Sequence, residues 1–296
     1  MRAQLIAATF AAILLVVSCP SAQAGGRIAL VIGMNGYRHA PTLKNPANDA
    51  RDVTAALREL GFEVVHSADA DRLALDAAIR GFSKRIADAD VGLVFFAGHG
   101  VQVAGQNYLV PIDAKLESVR DLEFEAVRLE FILGQMEGGR DGKVSIVMLD
   151  ACRDNPLARN LARSMGVRSE AFPRGLAPVQ SGAGTFVAFS TSPGKVAFDG
   201  QGRNSPFTTA LLRHIRMPAR GLNALMIDVR KDVMAATRNA QVPWDHSALT
   251  DDFQFHPASG LATGSIPPIG EDARREERTR RLDEELGRRP PSTGGP

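Results

Sequence analysis

The segment KVSIVMLDAC, residues 143–152, is apolar at every position from Ile146 to Leu149 before it ends on an acid and a cysteine. A strand with one wet face alternates apolar and polar residues. A strand without that alternation is covered on both faces, which is the condition inside a parallel sheet flanked by helices. The same pattern recurs in RIALVIGM (Arg27–Met34) and VGLVFFAGHG (Val91–Gly100).

Between these runs the period changes to that of a helix. NPANDARDVTAALREL carries Ala50, Val53, Ala56, Leu57 and Leu60 at helical spacing and closes at Gly61. FEVVHS (Phe62–Ser67) is a second strand, and RLALDAAIRGFSKRI a second helix with an expected stripe of Leu73, Ala77, Phe82 and Ile86. VQVAGQNYLVP reads as a hairpin turning near Ala104-Gly105. LEFEAVRLEFILGQME (Leu122–Glu137) reads as one helix, GTFVAFSTS (Gly184–Ser192) as a strand, SPFTTALLRHI and LNALMIDVRKDVMAATRN as helices, and DDFQFH as a last short strand. Strands alternating with helices imply right-handed crossovers and a mostly parallel α/β sheet.

Three segments stand outside that pattern. Residues 1–24 have the form of a signal peptide. Arg2 supplies the positive charge, Leu5–Val17 the apolar stretch, and Ala22 and Ala24 the small positions of a cleavage site. The expected product is an exported chain, periplasmic or secreted, starting at Gly25. A lipoprotein anchor at Cys19 is the minority alternative, and an uncleaved N-terminal anchor is a third. No other apolar run approaches the roughly 18 residues of a membrane helix. Asn155–Gly182 carries Arg159, Arg163, Arg168 and Arg174, little strand signal and two prolines after Pro156, and reads as a mobile loop between two halves of one domain. The expected domain therefore spans 25–257 with that loop at 155–182. Beyond it, 258–296 is a solvated, disordered or partly helical tail whose EDARREERTRRLDEELGRR block balances seven acids against seven arginines.

With Cys19 removed or lipidated, Cys152 has no intramolecular partner for a disulfide. It is either a small buried hydrophobe or a reactive thiol. Ligands of parallel α/β sheets sit beyond the carboxyl ends of the strands. Two strands here end in reactive residues, His99 in FFAGHG and Asp150 with Cys152 in LDAC. An imidazole beside a thiol generates the thiolate and shuttles its proton. Gly100 lets a substrate carbonyl approach its N–H, and that N–H with the one of Cys152 would form an oxyanion hole.

LVFFAGHG around His99 and VMLDACRD around Cys152 resemble the corresponding segments of caspase-family cysteine peptidases, of the bacterial caspase-like or metacaspase-like kind. LKNPANDARDVTAAL, FSTSPGKVAFDGQGRNSPFTTALL and QVPWDHS extend the resemblance over Arg27–Phe255. The resemblance implies a caspase-like fold with a central sheet of about six strands. It also implies peptide hydrolysis through a thioester, with Cys152 as nucleophile and His99 as general base and acid, and no third catalytic residue. Asp150 stands where aspartate-cleaving caspases carry glutamine. In metacaspases this aspartate and that of the NDA motif, here Asp49, line the pocket for the side chain before the cleaved bond. Two carboxylates there would pair with arginine or lysine and repel an acid. Each aspartate also has a structural reading, Asp49 as a first-turn helix acid.

This sequence departs from metacaspases in having Ala97 for a serine, and Arg153-Asp154 follow the cysteine where caspases have RG and metacaspases HSG. Calcium dependence does not carry over residue by residue, and the acids near Asp113 and Glu117 read as solvated surface. His39, His66, His214, His246 and His256 lack metal-ligand spacing, so no metal and no cofactor are expected. A net charge of +2 gives no nucleic-acid footprint. Two other readings remain. One is a catalytically silent caspase-fold module that binds peptides or regulates a partner, and the other is an amidase or transferase using the same dyad.

Overall fold

The computed structural model describes residues 26–257 apart from 141, 152–156 and 167–174. The expected signal segment, Cys152 and the expected tail therefore lie outside the described residues. Six strands form the main sheet: β1 (Arg27–Gly33), β2 (Glu63–Ala68), β3 (Val91–Gly98), β7 (Val144–Ala151), β8 (Thr185–Phe189) and β9 (Trp244–Ser247). Their order is β2-β1-β3-β7-β8-β9, and only β9 is antiparallel to its neighbour. The central strands β1, β3, β7 and β8 are buried almost throughout, which is why their sequences do not alternate.

Helices cover both faces. On one side α1 (Pro46–Glu59), α6 (Pro206–His214) and α7 (Leu222–Ala236) bury Val53, Leu57, Leu211 and Val229 against Val31, Phe95 and Met148. On the other, α2 (Arg72–Ile86), α4 (Leu129–Glu137) and α5 (Leu157–Ser164) contribute Ile79, Phe82, Leu133 and Leu161 against Leu30, Val94 and Val147. Helix starts follow their local chemistry. Asp71 caps α2 by accepting the Ala74 N–H at 2.9 Å, and Pro46 begins α1 with its ring-fixed φ.

A small second sheet carries β4 (Gly100–Val103), β5 (Gln106–Leu109) and β6 (Val127–Arg128) in that order. The β4–β5 turn at Ala104-Gly105 has positive φ at both residues, 51° and 78°, as a two-residue hairpin turn requires.

Four details differ from the sequence pattern. The expected helix over 122–137 is two helices, α3 (Leu122–Glu125) and α4, parted by β6, because Val127 pairs with Leu109 and completes the small sheet. The α2 stripe is Leu75, Ile79, Phe82 and Ile86, whereas Leu73 is 77% exposed. The last strand is β9 within QVPWDHS. DDFQFH forms only an isolated bridge from Gln254 to Gly221, although Phe253 and Phe255 bury as an alternating pattern suggests. Part of the expected loop over 155–182 is helical, since α5 buries Leu157, Leu161 and Ala162 in the core.

The seat of α1 on β1 depends on a glycine. A Cβ on Gly33 would lie 2.4 Å from the Pro46 carbonyl oxygen and 2.7 Å from the Ala50 Cβ, and the backbone atom has no room to yield. Gly33→Ala is expected to lower stability by about 1–3 kcal/mol, read as a fall in the denaturation midpoint. An unchanged midpoint would contradict this packing.

Candidate active site

Strands β3 and β7 run parallel with Ala97 opposite Asp150 and Gly98 opposite Ala151. The next residue in each strand's sequence is His99 and Cys152. Cys152, with Arg153 and Asp154, lies outside the described residues. The structure thus brings His99 and Ala151 to one edge of the sheet, beside the β1/β3 position where strand order reverses.

His99 is buried and held from three sides. Its ring packs on Tyr37 with centroids 4.4 Å apart. Its Nε2 lies 3.1 Å from the Pro41 carbonyl oxygen. A carbonyl only accepts, so Nε2 carries the proton in the neutral ring and Nδ1 is the basic nitrogen. Its backbone N–H donates to the Tyr37 hydroxyl at 2.7 Å, and that hydroxyl donates to the Val110 carbonyl at 3.2 Å. The Val110 N–H donates to the His99 carbonyl at 3.1 Å. The tyrosine hydroxyl therefore replaces the second bond that would close this antiparallel pair. Gly98 makes the insertion possible, because a Cβ there would lie 2.6 Å from the Tyr37 oxygen.

The same alternation settles the direction of the Gly100 amide. His99 and Val110 form a hydrogen-bonded pair, so Gly100 and Leu109 form the non-hydrogen-bonded pair that follows. Gly100 consequently turns its N–H away from β5, toward the edge of β4 that pairs with no strand among the described residues. A Cβ on Gly100 would lie 3.3 Å from the Ala151 Cβ, which places this amide close to the end of β7.

Asp49 and Asp150, far apart in sequence, meet at one residue. Asp49 lies in the first turn of α1, and its Oδ1 accepts the Ser205 N–H at 3.0 Å. Asp150 Oδ2 accepts the Ser205 hydroxyl in a short bond and lies 3.5 Å from the Thr208 hydroxyl. Ser205 also caps α6, accepting the Thr208 N–H at 2.9 Å, with Pro206 as the first helical residue. Asp49, Asp150, Ser205 and Thr208 are all fully buried. The N-termini of α1 and α6 both open on this cluster, and their partial positive charge favours carboxylates. The helix-acid reading of Asp49 is thus true of its place in α1, while its carboxylate reaches the start of α6.

Tyr37 and Ser205 were not identified from the sequence. Ser-Pro before an apolar helical run was a readable cap signal for Ser205, but Tyr37 reaches His99 across 62 residues and nothing local announces it. The other histidines stand elsewhere. His214 on α6 meets Asp232 on α7 at 2.9 Å, and that bond, with Arg213 beside it, holds the Asp232 carboxyl below the usual carboxylate range. Asp113 is not the solvated acid expected: it is half-buried and accepts the Arg72 N–H at 3.0 Å at the first residue of α2, whereas Glu117 is exposed. Among the described residues, no three His, Cys, Asp or Glu side chains converge as a metal site would need.

A family model described as the caspase domain matches residues 26–254. The chain is 32% identical over 127 residues to the mucosa-associated lymphoid tissue lymphoma translocation protein 1 of Homo sapiens, an alignment covering 43% of this chain and 15% of that protein. The Mus musculus homolog is 31% identical over 127 residues with the same shares. The chain thus spans about a seventh of the length of the curated relatives it matches. Among solved structures it is similar to caspase-1 from Spodoptera frugiperda, with TM-score 0.56 and 20% identity over 80% of this chain and 91% of that one. That likeness establishes the shared fold.

Removing the Tyr37 hydroxyl leaves the His99 N–H and the Val110 carbonyl without their bridge. Tyr37→Phe keeps the ring and is expected to destabilise the protein by about 1–3 kcal/mol, measured by urea unfolding. A change within about 0.5 kcal/mol would contradict the bridging role.

Proposed function

The chain belongs to the caspase-domain family, a family of cysteine peptidases, and we propose that it is an exported endopeptidase that cleaves peptides after arginine or lysine with a Cys152–His99 dyad. The observation that carries this reading is the β3–β7 register, which ends on the residues immediately before His99 and Cys152. In that arrangement Cys152 gives its thiol proton to His99 Nδ1, attacks the scissile carbonyl and forms a tetrahedral oxyanion. Its collapse expels the amine, which takes a proton from His99, and leaves a thioester. Water then attacks the thioester with His99 as base and frees the new carboxylate. The Pro41 carbonyl supports the role of His99 by fixing the ring and leaving Nδ1 basic. The outward Gly100 amide supports its place beside the Cys152 amide as an oxyanion donor. No cofactor enters these steps.

The meeting of Asp49 and Asp150 at Ser205 supports basic specificity. A guanidinium or ammonium brought to two carboxylates gains charge-assisted bonds, and an aspartate there is repelled. Arg2, Leu5–Val17 and the Ala22–Ala24 site support export.

The test uses the chain from Gly25 with matched fluorogenic peptides ending in Arg, Lys or Asp, each with calcium and with a chelator. Cleavage after Arg and Lys is expected, abolished by Cys152→Ala and lowered by His99→Ala. Asp150→Asn should lower kcat/KM on the Arg peptide by about 100-fold, near 2.7 kcal/mol. Cleavage after Asp would discard the basic pocket. Inertness toward every peptide would leave a binding module or an enzyme of another acyl group.

A further inference from the structure

Residues 199–205 lead from β8 toward α6 and deliver Ser205 to the two carboxylates. None of its residues from Asp199 to Asn204 is buried, and it contains Gly200 and Gly202. Its place is set by α1 and the residues just before it. Asp52 receives the Arg203 guanidinium through two bonds of 2.8 Å, Nε to Oδ2 and Nη2 to Oδ1, and also the Asn204 side-chain amide at 3.0 Å. Asn48 donates to the Arg203 carbonyl at 3.1 Å, and Lys44 Nζ to the Gln201 carbonyl at 3.1 Å. At the loop's start the Asp199 carboxylate accepts the Lys44 N–H at 2.6 Å and the Asn45 N–H at 3.2 Å. Asn45, Asn48, Asp49 and Asp52 are spaced i, i+3, i+4, i+7, so one face of α1 and its entry, with Lys44, meets this loop along its length. Asp49 stands in the middle of it.

An isolated exposed ion pair contributes little, but a bidentate pair inside a network fixes geometry. The Arg203 bond is the foremost cause that holds the Asp52 carboxyl below the usual carboxylate range.

We propose that the Asp52–Arg203 pair is the clasp that sets the primary specificity pocket, docking the 199–205 loop on α1 so that Ser205 reaches Asp49 and Asp150. Both are positioning residues that touch no substrate. The inference rests on reading those carboxylates as the site for a basic side chain. With the clasp open, Ser205 leaves the carboxylates and the substrate's basic group meets an unformed pocket. The β3 and β7 ends keep their register, so the nucleophile keeps its reactivity. The clasp therefore governs KM rather than the rate of thiol chemistry.

The experiment compares wild type from Gly25, Asp52→Arg, Arg203→Asp and the double exchange. Three quantities are read: amide hydrogen exchange in residues 199–205, KM and kcat on an Arg peptide, and the rate of Cys152 alkylation by iodoacetamide. Each single variant is expected to exchange faster in the loop and to raise KM about tenfold or more, with unchanged alkylation. The double exchange, which restores a pair of reversed sense, should recover most of both losses. Single variants that match wild type in loop exchange and KM, or a double exchange no better than the singles, overturn the clasp. A wild type that cleaves only after Asp, or cleaves nothing, sinks the basic-pocket reading instead, and the loop exchange still decides whether the clasp exists.

Discussion

Between Val91–Val144 and Gly98–Ala151, β3 and β7 are locked in parallel over eight consecutive residue pairs. Each strand is covered on both faces, so the register is fixed by two cores at once. A slip of one residue would turn Asp150 from the α1/α6 side to the α2/α4 side and put Ala151 in its place. It would also change which residue follows the strand opposite His99. The placement of the proposed chemistry therefore depends on ordinary apolar packing at Phe95, Phe96, Met148 and Leu149, none of which touches a substrate in the proposed reaction.

Around that edge the polar groups are few and committed. The Tyr37 hydroxyl joins His99 to Val110, and the Pro41 carbonyl holds the imidazole. Buried carboxylates are costly without hydrogen bonds. Asp49 and Asp150 offset part of that cost through Ser205 and through the two helix N-termini that face them. Ser205 does two jobs with one hydroxyl, accepting from Thr208 and donating to Asp150. The start of α6 and the state of the carboxylates are thereby coupled, and residues 199–205 supply the link between them.

The central strands were readable because burial on both faces leaves a plain mark, a run of apolar residues without alternation. The second helix was readable in extent, and its facing was legible too: Leu75, Ile79, Phe82 and Ile86 follow i, i+4, i+7, i+11, whereas Leu73 lies half a turn out of phase with Phe82. Residues 122–137 read as one helix because their local propensity is helical, and only the distant partner Leu109 turns Val127 into a strand. The convergence of Asp49 and Asp150 was reached through family resemblance and not through spacing, as 101 residues separate them. Tyr37 and the Asp52–Arg203 pair act through long-range contacts that no local pattern encodes, as does Ser205 toward the two carboxylates, although its cap of α6 is a local signal. The expectations for Cys152, residues 1–24 and the tail fall outside the described residues.

The central claim is that Cys152 is a nucleophile driven by His99. Its most direct measurement is covalent capture by an arginine-based peptidyl chloromethyl ketone, read by intact mass and peptide mapping of the chain from Gly25. The account predicts a single adduct on Cys152, formed at least about 100-fold more slowly in His99→Ala. An adduct elsewhere, no adduct, or an equal rate without His99 would contradict it.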